Sequence, residues 1–299
     1  MDVRQAVNNH YLNIDSSVSD VSDVSDQTQP SCMNKVHSFL FITYNRSELL
    51  TKSFTSLREA VLALGLPVEF VVSDDASSLE HQVVINSLGF DVLSISDINR
   101  GLGANQNRGI ASCKGGFIFQ IQDDWIFVGQ PSDLTDAVQV MESDPEVGIV
   151  QLTDVSSDLP SERRITRGGV MYDVFRNDQL PWDRDCGLRP YSDHPHVKRI
   201  SFVKEIGSYL EGVAMGVMEN DYKRRIATQK RWRVAQMTSK RIFIDYEAEH
   251  SLNPGGKRHE LVVLLHKIPF VGKWIEWFIR QIWRRVDHLA AVVIARLSA

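Results

Sequence analysis

Two pairs of adjacent carboxylates close apolar runs in this chain: Asp74-Asp75 ends "LPVEFVVSDD" and Asp123-Asp124 ends "GGFIFQIQDD". Neighbouring carboxylates repel, and burying them unpaired costs several kcal/mol, so each pair needs a cation, hydrogen-bond donors or solvent. At Asp123-Asp124, hard oxygen ligands suit Mg2+ or Mn2+ bridging to a diphosphate; the alternative is an exposed turn at a strand end. Gln122, just before them, is neutral and offers at most its carbonyl oxygen. Asp74-Asp75, followed by Ala76-Ser77-Ser78, can accept hydrogen bonds from a base or ribose, and "DDASS" is equally good turn and helix-capping chemistry; one acid is expected to cap while the other binds. A third polar cluster, Tyr44-Asn45-Arg46, follows "VHSFLFIT". In "NRGLGANQNRG", Gly101 and Gly103 allow close backbone approach, with Asn99, Asn105 and Asn107 as polar contacts. That segment lacks the Gly-Lys-Ser/Thr ending of a triphosphate loop.

The elements around these residues alternate. "VHSFLFITYN" reads as a buried strand, and "RSELLTKSFTSLREAVLAL" repeats its apolar residues at helical spacing. A strand through "VEFVV", a helix through "SLEHQVVINSLG", a short strand "FDVLSIS", a helix after Gly101, the strand "GGFIFQIQ" and a further helix and strand in "PSDLTDAVQVMESDPEVGIVQL" follow. Strands alternating with helices predict a Rossmann-like α/β fold with a mostly parallel sheet and helices on both faces. Ligands bind such sheets beyond the carboxyl ends of the strands, so the three polar clusters should converge on one rim.

The 299 residues suffice for a large core, and a formal net charge of -5 argues against a general nucleic-acid binder. Three cysteines, Cys32, Cys113 and Cys186, have neither zinc nor redox spacing, which favours a reducing cytoplasmic setting. The N-terminus lacks the pattern of a secretory signal, and no apolar run is long enough to span a bilayer. Residues 1–34, with the repeat "VSDVSDVSD", read as a disordered acidic arm. Residues 35–256 read as the main domain. Residues 257–299 form a basic tail with an amphipathic helical pattern from Ile275 to Leu297 and tryptophans at its boundary. That tail suits a membrane surface or, alternatively, packing on protein.

Taken in order, "FITYNRSELLTKSFTSL", "FVVSDDASS" and "NRGLGANQNRGIASCKGGFIFQIQDDW" resemble the successive motifs of family 2 glycosyltransferases with the GT-A fold, over roughly Val36 to Leu152. The resemblance implies a nucleotide-sugar donor bound in residues 35–152 and an acceptor-binding, catalytic half in 153–256. It implies a uracil or other base near Thr43, Tyr44 and Asp74, with Asn45, Arg46, Asp75, Gly103 and Asn107 also on the donor. Asp123 and Asp124 would hold a divalent cation, Mg or Mn, on the diphosphate. Relatives often read Asp-x-Asp or Glu-Asp-Asp where this chain has Gln122-Asp123-Asp124, which leaves Asp124 as the main metal ligand and implies weaker metal affinity. The resemblance also suggests His250 near the metal. "FVKEIGSYLEG" is similar to the segment preceding the catalytic acid, which points to Glu219-Asn220-Asp221. An inverting transfer needs one carboxylate to take the acceptor proton, and Glu219 and Asp221 are the candidates. Two residues apart, they cannot both face one site. The alternative is a solvated helix start pairing with Lys223 and Arg225. His194 and His196, around Pro195, suit a loop contacting the acceptor.

The expected protein is a glycosyltransferase on the cytosolic side, free or peripheral on a membrane, with a saccharide or lipid-linked acceptor and no nucleic-acid partner. Two other readings stand beside it. A nucleotidyltransferase would need a basic triphosphate loop after the first strand, which "TYNRSELL" does not supply. A catalytically inactive nucleotide-sugar or glycan-binding protein is suggested by the neutral Gln122 and Asn220.

Overall fold

The computed structural model describes residues 36–153, 160–175, 191–237, 240 and 242–246. The arm over residues 1–34, His250 and the tail over 257–299 lie outside the described residues. The elements in chain order are β1 (His37–Thr43), α1 (Ser47–Leu62), β2 (Val68–Asp74), α2 (Leu79–Ser87), β3 (Val92–Ile95), α3 (Leu102–Ser112), β4 (Phe117–Gln122) and β5 (Trp125–Phe127). These are followed by α4 (Pro131–Ser143), β6 (Val147–Gln151), β7 (Ser161–Ile165), β8 (Met171–Phe175), β9 (His196–Arg199), α5 (Ile200–Ile206), α6 (Met215–Thr228), β10 (Arg233–Met237) and β11 (Phe243–Asp245).

The main sheet is ordered β3-β2-β1-β4-β9-β6-β10-β8-β7. It is mixed but mostly parallel: β9 runs against β4 and β6, β8 runs against β10 and β7, and the other strands share one direction. Strand β1 is buried along its whole length because both faces of the sheet are covered, the arrangement that lets a parallel strand read as a continuous apolar run. Its alternate side chains divide accordingly. Phe39 and Phe41 join the cluster containing Leu50, Phe54 and Leu57 of α1, while Leu40 and Ile42 pack with Val71 and Ile118 on the other face. Phe39 stacks on Phe119 of β4 at a centroid distance of 4.4 Å, and Phe41 meets Phe54 edge-on at 5.5 Å. A separate core under β6 and β10 gathers Ile149, Phe202, Tyr209, Tyr222, Trp232 and Val234.

Two features depart from the simple alternating pattern. Strand β9, from the second half of the chain, inserts antiparallel between β4 and β6, so both halves share one sheet. The short β5 pairs with β11 instead of joining the main sheet. Among the described residues no helix is long and apolar enough to cross a membrane.

Candidate active site

The strand register brings the three polar clusters to one edge. Thr43 lies opposite Asp74, Ile42 lies opposite Gln122, and the Asp123 N–H donates to the Ile42 carbonyl at 3.2 Å. The cation required by Asp123 and Asp124 is Arg46. Its Nη1 lies 2.9 Å from Asp123 Oδ1 and its Nη2 lies 3.1 Å from Asp124 Oδ2. Asp123 also accepts the Thr43 hydroxyl at 2.7 Å and the Tyr44 main-chain N–H. Burial pushes the Asp123 carboxyl upward, and the Arg46 guanidinium pulls it back. Asp123 is thus fully engaged with the loop after β1. Asp124 differs, because its Oδ1 is buried and has no hydrogen-bond partner.

Most of the other donor-side residues hold each other. Asn45 adopts a left-handed φ of 51°, tolerated by asparagine, and exchanges hydrogen bonds with the segment after β2. Its N–H donates to Ser77 Oγ at 2.6 Å, and its Oδ1 accepts the Ser78 N–H at 2.8 Å. Asp74 accepts both the N–H and the hydroxyl of Ser77, while Asp75 accepts the N–H groups of Arg100 and Gly101. Both acids are buried, and both accept hydrogen bonds from the chain. Asn107 clasps Tyr209 at both its N–H and its carbonyl. Gly103 serves the same junction, since a Cβ there would stand 2.0 Å from the Leu210 carbonyl oxygen. The close approach that this glycine permits is to the protein's own chain.

On the other side of the rim, α6 carries Glu219 and Asp221 on different faces, as helical spacing requires. Glu219 Oε1 accepts the Asp193 N–H at 3.1 Å and pairs with Lys223 at 3.2 Å. Asp221 pairs with Arg225 at 2.8 Å, and that arginine continues to the carbonyls of Ile206 and Ser208. His194 lies in the fields of Glu219, Asp245 and Asp124, between the acceptor-side and donor-side acids, with its ring 4.8 Å from that of Trp125. Burial lowers its pKa.

Sequence reasoning missed three features. Asp245 is brought beside Asp124 by the β5–β11 pairing and by the Tyr246 N–H donating to the Asp124 carbonyl at 2.8 Å. Burial first, and then Asp124, raise its pKa. Asp193 and Lys198 lie in "YSDHPHVKR", whose polar letters read as an exposed loop, yet both are buried. Asp193 accepts Tyr191 Oη at 2.9 Å, Gln122 Nε2 at 3.1 Å and Gln106 Nε2; Lys198 donates to Gln120 Oε1 at 2.5 Å and Tyr209 Oη at 3.2 Å. Burial pushes Asp193 up and Lys198 down, whereas the donors on the carboxylate and the pair's mutual field favour the charged forms. The available signal was the two-residue spacing of His196 and Lys198, which places both on one face of β9.

The fit of these residues to a divalent cation rests on Asp124 Oδ1, a buried hard donor left without a partner. Asp245 and His194 lie within its electrostatic reach. Among the described residues no three His, Cys, Asp or Glu side chains form a ready cage.

An α/β sheet with its polar clusters at the strand carboxyl ends, extended by an antiparallel insertion, defines a GT-A-type fold. The sequence pattern of glycosyl transferase family 2 matches residues 38–191, just over half the chain, and the protein belongs to that family. It is therefore a nucleotide-sugar glycosyltransferase. Among solved structures it is similar to the mannosyltransferase PcManGT from Pyrobaculum calidifontis in complex with GDP-Man and Mn2+, at 13% identity and a TM-score of 0.53, covering 88% of this chain and 75% of that one. It also matches S. aureus TarS 1-349, at 14% identity and a TM-score of 0.49, covering 77% of this chain and 64% of that one. The same TarS segment in complex with UDP-GlcNAc matches at 15% identity and a TM-score of 0.47, covering 77% and 65%. No curated protein matches.

Proposed function

We propose that the protein transfers a sugar from a nucleoside-diphosphate sugar to an acceptor hydroxyl with inversion, and that Glu219 is the base. The observation that carries this reading is a difference on α6: both acids pair with a basic residue one turn on, but Glu219 is also joined to the rim through the Asp193 N–H. In the reaction the acceptor oxygen attacks the anomeric carbon, the bond from that carbon to the diphosphate oxygen breaks with its electron pair on the diphosphate, and Glu219 takes the acceptor proton. The Asp193 N–H and Lys223 hold Glu219 Oε1 and so orient its carboxylate.

The leaving group is a diphosphate, and stabilising its charge is the main electrostatic task. Arg46 is assigned to the diphosphate, and Asp124 to the cation that would neutralise it. A divalent cation, Mg or Mn, would be held by Asp124, and when bound it would supply charge neutralisation on the diphosphate. Thr43 and Tyr44, at the end of β1, are assigned to the donor nucleotide; Asn45, Asp74, Asp75, Gly103 and Asn107 are assigned to shaping that wall. The acceptor is a saccharide or a lipid-linked sugar, and the basic, tryptophan-bearing sequence over residues 257–299 supports a peripheral position on the cytosolic face of a membrane.

The reading is tested by measuring nucleoside-diphosphate release from UDP-glucose, UDP-N-acetylglucosamine and GDP-mannose with and without Mn2+. Release from one donor, stimulated by metal and reduced at least tenfold in Asp124→Ala, is expected. Donor binding with no release, after saccharide and lipid-linked acceptors have been supplied, would instead favour the inactive binding protein.

A further inference from the structure

We propose that Gln122 is a positioning residue for the transfer step, acting on the acceptor-side acid rather than on the donor. This rests on the assignment of Glu219 as the base. Gln122 closes β4 immediately before Asp123-Asp124, yet its side chain reaches Asp193 on the acceptor side. One amide nitrogen, Nε2, donates both to the Asp193 carbonyl at 3.2 Å and to Asp193 Oδ2 at 3.1 Å. The main-chain N–H of the same Asp193 holds Glu219 Oε1 at 3.1 Å. A continuous path thus runs from the donor carboxylates through Gln122 and Asp193 to Glu219.

The chemistry at Asp193 explains why residue 122 is neutral here. The Asp193 carboxylate is surrounded by donors: Gln106, Gln122 and Tyr191, with Gln120 Nε2 at 3.4 Å. The buried cation Lys198 is linked to it through Gln120 and through the Tyr209–Tyr191 hydroxyl pair at 2.7 Å. An ionised carboxylate at position 122 offers Asp193 no donor, and a protonated one offers a single O–H where the amide nitrogen reaches both the carbonyl and Oδ2. Among the described residues, the amide at 122 alone holds the Asp193 carbonyl and its Oδ2 together. Gln122 and Asp193 therefore form a matched pair, and the neutral residue is a condition for setting the acid opposite.

The test compares Gln122→Glu, Asp193→Asn and the double variant, with Glu219→Gln in parallel, on two readouts. One is nucleoside-diphosphate release from UDP-glucose, UDP-N-acetylglucosamine and GDP-mannose, alongside UDP and GDP affinity by calorimetry. The other is hydrogen exchange of the Asp193 amide, which needs no turnover. Gln122→Glu is expected to lower kcat at least tenfold with nucleotide affinity within about twofold, and to expose the Asp193 amide to exchange. The double variant, in which an amide at 193 can donate to a carboxylate at 122, is expected to recover a large part of kcat and of the protection. If Gln122→Glu does not fold, Gln122→Met removes the donor without adding charge and is expected to give the same split between kcat and nucleotide affinity. Loss of nucleotide affinity with kcat retained, no recovery in the double variant, or a still-protected Asp193 amide in Gln122→Met would overturn the proposal. Turnover retained in Glu219→Gln would instead show that the base is misassigned; a dead Glu219→Gln beside a fully active Gln122→Glu would leave the base standing and remove the positioning role.

Discussion

The two sides of the rim reach their geometry by different means. The donor side is assembled from segments that follow β1, β2 and β4, three neighbouring parallel strands whose register alone brings Thr43, Asp74 and Asp123 together. The acceptor side is assembled from β9, the segment before it and α6, and a buried polar network joins these elements. Parallel topology therefore brings the donor-side clusters together, whereas on the acceptor side the carboxylates of Asp193 and Glu219 are tied in by hydrogen bonds to residues distant in sequence. The first arrangement tolerates the loss of single side chains better than the second, except where a lone side chain neutralises several charges.

Arg46 is that exception, and its removal is the largest expected effect. Arg46→Ala leaves Asp123 and Asp124 facing each other in a buried setting, and a loss of about 3–5 kcal/mol is expected in denaturant unfolding. Millimolar Mn2+ should restore part of that loss, because a second cation can take the same charge. A variant as stable as the native protein would show that these carboxylates need no counter-charge.

On the acceptor side the corresponding probe is pH. His196 is fully buried, its Nδ1 lies 2.8 Å from the His194 carbonyl and its Nε2 has no partner. Burial, with help from Lys198, lowers its pKa from 6.5 to about 3. A depressed histidine contributes stability that is present above pH 6.5 and is lost as pH falls towards 3. Asp193, raised by burial, acts in the opposite sense, its contribution being full below 3.8 and lost as pH rises through its elevated folded value. The comparison of native protein with His196→Gln separates the two. The variant should lose less stability than the native protein between pH 6.5 and 4, by several kcal/mol in chemical unfolding. Parallel pH curves would place the titration elsewhere.

A smaller effect is expected where the two sides meet. Gly103→Ala drives a methyl group into the Leu210 carbonyl, and a loss of about 1–3 kcal/mol is expected from the overpacking, with reduced turnover as the Tyr209–Glu211 segment shifts. An unchanged melting temperature would mean that this junction is soft.

The same contrast explains what could be read from the sequence. Apart from β5, the strands and helices from β1 to β6 were legible because a sheet covered on both faces demands apolar runs, and α1 repeats its buried Leu50, Phe54, Leu57 and Val61 at helical spacing. The convergence of the three clusters followed from topology. The tasks of individual residues did not, because hydrogen-bond partners distant in sequence decide them. Asn107 holds Tyr209, and Asp75 holds the loop before α3. Asp193 and Lys198 were illegible for the opposite reason: charged letters signify solvent unless their partners are known, and here the partners are Gln106, Gln120 and Gln122, scattered over α3 and β4.

The central claim is that the acceptor acid is Glu219 and that Asp221 is structural. The measurement that tests it most directly is metal-supported nucleoside-diphosphate release by the native protein, Glu219→Gln and Asp221→Asn, each verified as folded. The account predicts a loss of about a hundredfold to ten-thousandfold in Glu219→Gln, and turnover close to native in Asp221→Asn. A dead Asp221→Asn beside an active Glu219→Gln would contradict it.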